Sequence, residues 1–371
     1  MEGIELVEKA VITPEKSTTQ GQIFLSNIDL GLVVYQESVT FFDPPSNQMS
    51  FSEAFNRLCH ALRRLLVPYA FLAGRLVPSL DENHRFEIDC NGAGVLVAAA
   101  KTHRKLSEFG DLLAPKPDFR QFVAFVLQEG EEDIDLKDKP LLCIQLTQFG
   151  CGSLALAPYY NHCTLDGVSV RDFESNLAAF TRGDDLTILP KPDRTALKAR
   201  NPPKLQNYGR HGALHQRWQR RKFQQCCFHV DARKIISPQL PDGFSGNALI
   251  PGFARATVKE LTEDEDSSHI RKVQEGIERL DDEYVRSGID WLEVNRGVPR
   301  REDSFSLVAW WRLGLDEQLF AWGRVKCAIP VVVKPGLVML LPGPKNEGGL
   351  SVCLELPEDH MEEFSKIMME E

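Results

Sequence analysis

The sequence predicts a two-domain protein of the α/β class, with apolar strands interleaved with amphipathic helices. Three observations carry that expectation. The chain has 371 residues, more than one hydrophobic core ordinarily organises, and its 43% apolar and 26% charged residues suit a globular protein. Strand-period runs at 142–158 and 350–356 stand beside helix-period runs at 50–66 and 358–369. From 182 to about 221 the apolar periodicity gives way to a proline-rich stretch, so domains are expected at 1–185 and 222–371, joined by a linker at 186–221.

Residues 4–40 read as strand, loop, strand, with Leu25-Ser26-Asn27-Ile28-Asp29 in the loop. The helix at 50–66 opens with capping-box spacing between Ser50 and Glu53. Phe51, Ala54, Phe55, Leu58, Leu62, Leu65 and Leu66 form its apolar side, and Pro68 stops it. Residues 85–91 alternate as a strand. The polar stretch 107–139, rich in Pro, Asp and Glu, is expected to cross the surface. Two apolar strands follow in 140–167, turning at Gly150-Cys151-Gly152; Leu142, Ile144 and Leu146 alternate with Cys143, Gln145 and Thr147. A helix over 168–180 would bury Val168, Phe173, Leu177 and Phe180. Residues 255–287 are polar with a helical period, 304–313 read as a strand, and 336–341 pairs with 350–356 as a hairpin. The last helix puts Met361, Phe364, Ile367 and Met368 on one side.

Composition removes several function classes. A formal charge of −10 with no basic stripe argues against nucleic-acid binding, and the one basic cluster, at 217–222, is short. No run of 18 apolar residues exists, so no membrane span is expected, and residues 1–16 lack the pattern of a secretory signal. Nine scattered cysteines without C-x-x-C spacing predict neither a zinc site nor a disulfide framework, and a cytoplasmic location fits them.

The chemistry-bearing candidate closes the second apolar strand. His162 is the only one of nine histidines with an aspartate four residues later, Asp166, and Gly167 follows. A histidine at the end of a buried strand can be held in one tautomer and still reach a cleft, as a general base requires. By itself His-x-x-x-Asp is a weak motif, for which a core histidine bonded to a carbonyl is the readier explanation.

Further motifs extend it. The run 145–152 (QLTQFGCG), Asn161-His162 and Asp166-Gly167, Leu72-Ala73-Gly74-Arg75-Leu76, Thr13-Pro14 and residues 24–29 (FLSNID) resemble the plant BAHD acyltransferases. In the second half, 189–194 (LPKPDR), Val230-Asp231-Ala232-Arg233, 238–241 and 243–248 (GFSGNA) continue the resemblance. It implies two similar-sized α/β domains of mixed sheet and helices, like chloramphenicol acetyltransferase, with the active site in a channel at their interface. It also implies acyl transfer from coenzyme A thioesters to small-molecule alcohols or amines, with acyl-coenzyme A as co-substrate, no permanently bound cofactor or metal, and a monomeric enzyme. Without a Gly-x-Ser-x-Gly elbow or a cysteine paired with a base, direct transfer follows, His162 taking the acceptor's proton and delivering it to the coenzyme A thiolate. The resemblance makes Asp166 architectural, paired with Arg233 of the second domain, and Trp310 the donor to the oxyanion. The opening pattern is closest to members that pass hydroxycinnamoyl groups to long-chain alcohols or ω-hydroxy acids; shikimate-type acceptors are the nearest competitors.

The chain departs from the family in two places. Between Pro203 and Asp231 the family carries several dozen more residues. Its Asp-Phe-Gly-Trp-Gly signature is Leu319-Phe320-Ala321-Trp322-Gly323 here. Both departures keep open the alternative of a non-catalytic paralogue that binds acyl-coenzyme A or a partner enzyme.

Overall fold

The computed structural model describes residues 3–126, 134–205, 223–297, 304–344 and 348–370. The basic cluster at 217–222, residues 206–221 of the expected linker and the tip of the last hairpin lie outside the described residues. The chain forms two compact units. One comprises Met1–Ala199, Leu240–Ala248 and Leu313–Val332; the other comprises Arg200–Gln239, Leu249–Arg312 and Val333–Glu371. Two segments of the sequence's second half, 240–248 and 313–332, thus cluster with the first unit rather than with the residues around them.

The reason for one of them is strand pairing. In the first unit β1 (Ile4–Ile12), β3 (Tyr35–Phe42), β6 (Val95–Thr102), β7 (Leu142–Gln148) and β8 (Leu154–Asn161) join β12 (Leu319–Phe320) and β13 (Gly323–Pro330). The sheet order is β1-β6-β7-β8-β3-β13-β12, and β13 runs antiparallel to β3 through Thr40↔Ala328 and Val39↔Ile329. A small second sheet orders β2 (Gln22–Phe24), β5 (Phe86–Asp89) and β4 (Arg75–Pro78).

The paired central strands differ from the alternation read in the sequence. Almost every residue of β7 and β8 is buried, because both faces of the sheet are covered. On one face Gln145 accepts from Phe125 N–H at 2.9 Å and donates to Gln121 O at 3.1 Å. The 107–126 stretch therefore does more than cross the surface. Phe109, Phe119 and Phe122 are buried against Phe41 and Phe149, with ring centroids 5.3–6.3 Å apart. The scattered aromatics outweigh the polar composition around them.

Two helices supply the remaining core of this unit: α2 (Phe51–Leu65), capped by Ser50, and α3 (Gly167–Arg182), which pack together. A single helical turn, α1 (Asn27–Leu30), occupies the loop before β3.

In the second unit β9 (Phe223–Asp231), β10 (Leu249–Thr257), β11 (Ser304–Ala309), β14 (Leu337–Pro342) and β15 (Leu350–Leu354) form a sheet ordered β10-β9-β11-β14-β15. The helices α4 (Val258–Glu263), α5 (Asp266–Glu278) and α6 (Asp282–Asn295) follow β10, and α7 (Glu358–Glu370) ends the chain. Gly276 of α5 and Gly252 of β10 both approach Phe228, and a Cβ on either would lie under 3 Å from its ring. Residues 310–313, read as a continuation of the strand, fall beyond β11.

Candidate active site

β8 delivers the histidine. Its last residue, Asn161, pairs with Tyr35, and the His162 N–H donates to Val34 O at 2.8 Å, which fixes the backbone where the strand ends. His162 is half-buried, with its ring 6.2 Å from that of Tyr160.

Asp166 does not turn its carboxylate to the imidazole. It is the N-cap of α3: Oδ1 accepts from Ser169 N–H at 2.9 Å and Oδ2 from Ala248 N–H at 3.0 Å. A buried carboxylate at a helix N-terminus receives orphan amide donors and complements the helix dipole. Gly167, the first residue of α3, leaves room for Leu313, since a Cβ there would lie 2.9 Å from Leu313 Cδ1.

The partner of His162 comes from the 240–248 segment. Asn247 Oδ1 lies 3.2 Å from His162 Nδ1, and Asn247 Nδ2 donates to His162 O at 2.8 Å and to Asp29 Oδ1 at 2.9 Å. Ser169 Oγ lies within 3.1–3.2 Å of the carbonyls of Phe244 and Gly246, so α3 holds this segment at a second point. Asp29 is in turn ion-paired with Arg194.

Nearby titratable groups are shaped by burial. It pushes the Cys163 thiol far above its ordinary range, so this neighbour of His162 stays protonated and is no nucleophile. The same cause raises the Tyr160 phenol, and the Glu174 carboxyl on α3 is pushed up to about 8. All nine cysteines are free thiols, and among the described residues no group of three His, Cys, Asp or Glu is arranged to hold a metal. No helix among them is long and apolar enough to cross a membrane.

The other two candidates belong to the second unit. Arg233 lies in a single turn after β9 and pairs with Asp231, Nη1 to Oδ1 at 3.0 Å. Trp310 follows β11; it is half-buried, and its backbone N–H donates to Leu340 O at 2.8 Å. Beside it Trp311 is more exposed, with the Arg312 guanidinium 4.1 Å over its ring.

The structure thus brings His162, Asp166 and Gly167 into one turn and adds Asn247, Asp29 and Arg194. Asn247 lies 85 residues from His162 in sequence, and no local spacing signals the contact. Only its place in the GFSGNA run marked it.

The sequence profile of the Transferase family matches residues 3–225 and 210–371, together nearly the whole chain. The chain is a BAHD acyltransferase. The acyltransferase GLAUCE of Arabidopsis thaliana is 30% identical over 440 aligned positions, covering 97% of this chain and 94% of that protein. The omega-hydroxypalmitate O-feruloyl transferase of the same plant is 27% identical, covering 97% and 91%. Vinorine synthase has the same fold, with a TM-score of 0.74 at 19% identity and 96% coverage of both chains. As a BAHD acyltransferase the chain is an enzyme that takes its acyl group from a coenzyme A thioester. The 440 aligned positions exceed its 371 residues, so GLAUCE carries segments that this BAHD member lacks. The two profile matches meet at 210–225, inside the stretch where the sequence departs from the family pattern.

Proposed function

We propose that this enzyme transfers a hydroxycinnamoyl-type acyl group to the hydroxyl of a long-chain alcohol or ω-hydroxy acid, with His162 as general base. The similarity to a feruloyl transferase of ω-hydroxypalmitate and the opening FLSNID pattern support the substrate class. The observation that carries the chemistry is the His162 Nδ1 contact with Asn247 Oδ1. An amide oxygen only accepts, so Nδ1 carries the proton and Nε2 keeps its lone pair.

The acceptor hydroxyl gives its proton to His162 Nε2 as its oxygen bonds to the thioester carbonyl carbon. The tetrahedral oxyanion collapses, the carbon–sulfur bond breaks, and the coenzyme A thiolate takes the proton from the imidazolium. The ring ends neutral, ready for the next acceptor. We infer from the family resemblance that the Trp310 indole N–H donates to the oxyanion. We also infer a monomer working in the cytoplasm.

A general base contributes roughly 10²–10⁴ in rate. His162→Ala should lose that much thiol release from feruloyl-coenzyme A with ω-hydroxypalmitate while unfolding at the wild-type temperature. Retained turnover would remove His162 from the role. Thiol release without an acceptor would mean a hydrolase; none with any donor would mean a binding protein.

A further inference from the structure

We propose that Asp29 and Arg194 are positioning residues for the general base: their buried ion pair locks the Asn247 amide, and through it the tautomer of His162. The proposal rests on His162 being the base.

A side-chain amide has two orientations of nearly equal shape, and its neighbours choose between them. Asn247 Nδ2 sits 2.9 Å from Asp29 Oδ1 and 2.8 Å from His162 O. Both are acceptors as long as Asp29 is ionised. Turned over, the amide would set its oxygen against a carboxylate and a carbonyl and its NH₂ against Nδ1, which would then have to accept. Nε2 would carry the proton, and the ring could not take one from the acceptor.

Asp29 has little freedom to change this. Its Oδ2 accepts from Ser26 N–H at 2.8 Å and Ser26 Oγ–H at 2.7 Å, closing the cap of α1. Its Oδ1 also accepts from Asn247 N–H at 3.0 Å. The Arg194 Nε stands 3.3 Å from Oδ2, and both side chains are fully buried. A buried guanidinium and a buried carboxylate offset each other's charge, and losing either would strand the other. Arg194 is itself anchored, Nη2 donating to Thr164 O at 2.9 Å and Nη1 to Pro192 O at 2.5 Å. Thr164 lies two residues beyond His162, so the pair grips the turn that carries the base. The order of control runs from Arg194 to the charge on Asp29, to the Asn247 amide, to the His162 proton. The arrangement also suits the imidazolium, whose Nδ1–H keeps the same acceptor.

The test is the ring ¹⁵N spectrum of His162 in the full chain, assigned by its loss in His162→Gln. The wild type should show Nδ1 protonated and Nε2 bare near neutral pH. Asp29→Asn should mix the tautomers and lower kcat about 10- to 100-fold with little change in KM, the range typical of a group that orients a functional histidine. Asn247→Ala should lower kcat similarly, and adding Asp29→Asn to it should lower kcat no further. Wild-type protein with the proton on Nε2 overturns the proposal without any variant, should Asp29→Asn fail to fold. So does a folded Asp29→Asn with wild-type spectrum and kcat. Retained turnover in His162→Gln would instead overturn the general base, whatever the spectrum shows.

Discussion

Glu174 shows how much of a side chain's behaviour depends on surroundings that its neighbours in sequence do not disclose. Glu174 looks like a polar position on α3, yet burial lifts its carboxyl from 4.5 to about 8. The folded state therefore holds this proton more tightly than the unfolded chain. Its contribution to stability is greatest below about pH 4.5, falls as pH rises through the window, and stops falling above about 8. Thermal melts from acid to mildly basic pH should show a decline in wild type that Glu174→Gln flattens; parallel profiles would mean that the carboxyl is hydrated. Trp310 is tested on kinetics. Trp310→Phe keeps most of the volume and removes the indole donor, so kcat should fall roughly 10²–10³-fold with KM nearly unchanged. An unchanged kcat would place the oxyanion donor elsewhere.

At the scale of elements, the altered signature loop retains the residues that hold it. Phe320 and Trp322 stack with centroids 5.0 Å apart, and both meet Phe42 edge-on. Gly323, the first residue of β13, takes a φ of +145°, open to glycine. Ala321 is bonded through its backbone, its N–H to Thr181 Oγ and its O from Asn47 Nδ2, both at 3.1 Å. Leu319 is 41% exposed and its carbonyl accepts from Arg182. The two departures from the family thus leave the backbone bonds and the aromatic contacts of the loop in place. Restoring Leu319→Asp and Ala321→Gly together should shift stability by less than about 1 kcal/mol, whereas Trp322→Ala should remove about 3–5 kcal/mol. Chemical denaturation measures both.

At the scale of the whole molecule, Asp166 ties together segments far apart in the chain, as the N-cap of α3 and as acceptor of the Ala248 N–H. Losing a capping side chain typically costs about 0.5–2 kcal/mol. Asp166→Ala should lower stability by at least that much in chemical denaturation, and an unchanged midpoint would mean that the cap contributes nothing. In the second unit β15 alternates cleanly in sequence, yet Leu350 and Val352 are 46% and 54% exposed on an edge strand. With Phe305 of β11, 39% exposed, they lie on one side of the sheet. A period of two tells which residues share a face; it does not tell whether anything covers that face.

The sequence by itself determined the elements with strong periods and the residues with specific neighbours. The α2 stripe and cap, the β7–β8 pair and the turn from His162 to Gly167 were all legible, because each is encoded within about 30 consecutive residues, and the family was legible from motifs spread along both halves. Only the tertiary structure decided what long-range contact decides. It carried β13 into the sheet of the first unit beside β3, buried both faces of β7, and drew the Phe109, Phe119 and Phe122 rings out of a polar stretch. It also set Asn247 against the imidazole, with Asp29 and Arg194 behind it. Their sequence separations reach 218 residues, and hydrogen-bond complementarity between groups that far apart leaves no periodic trace in the chain.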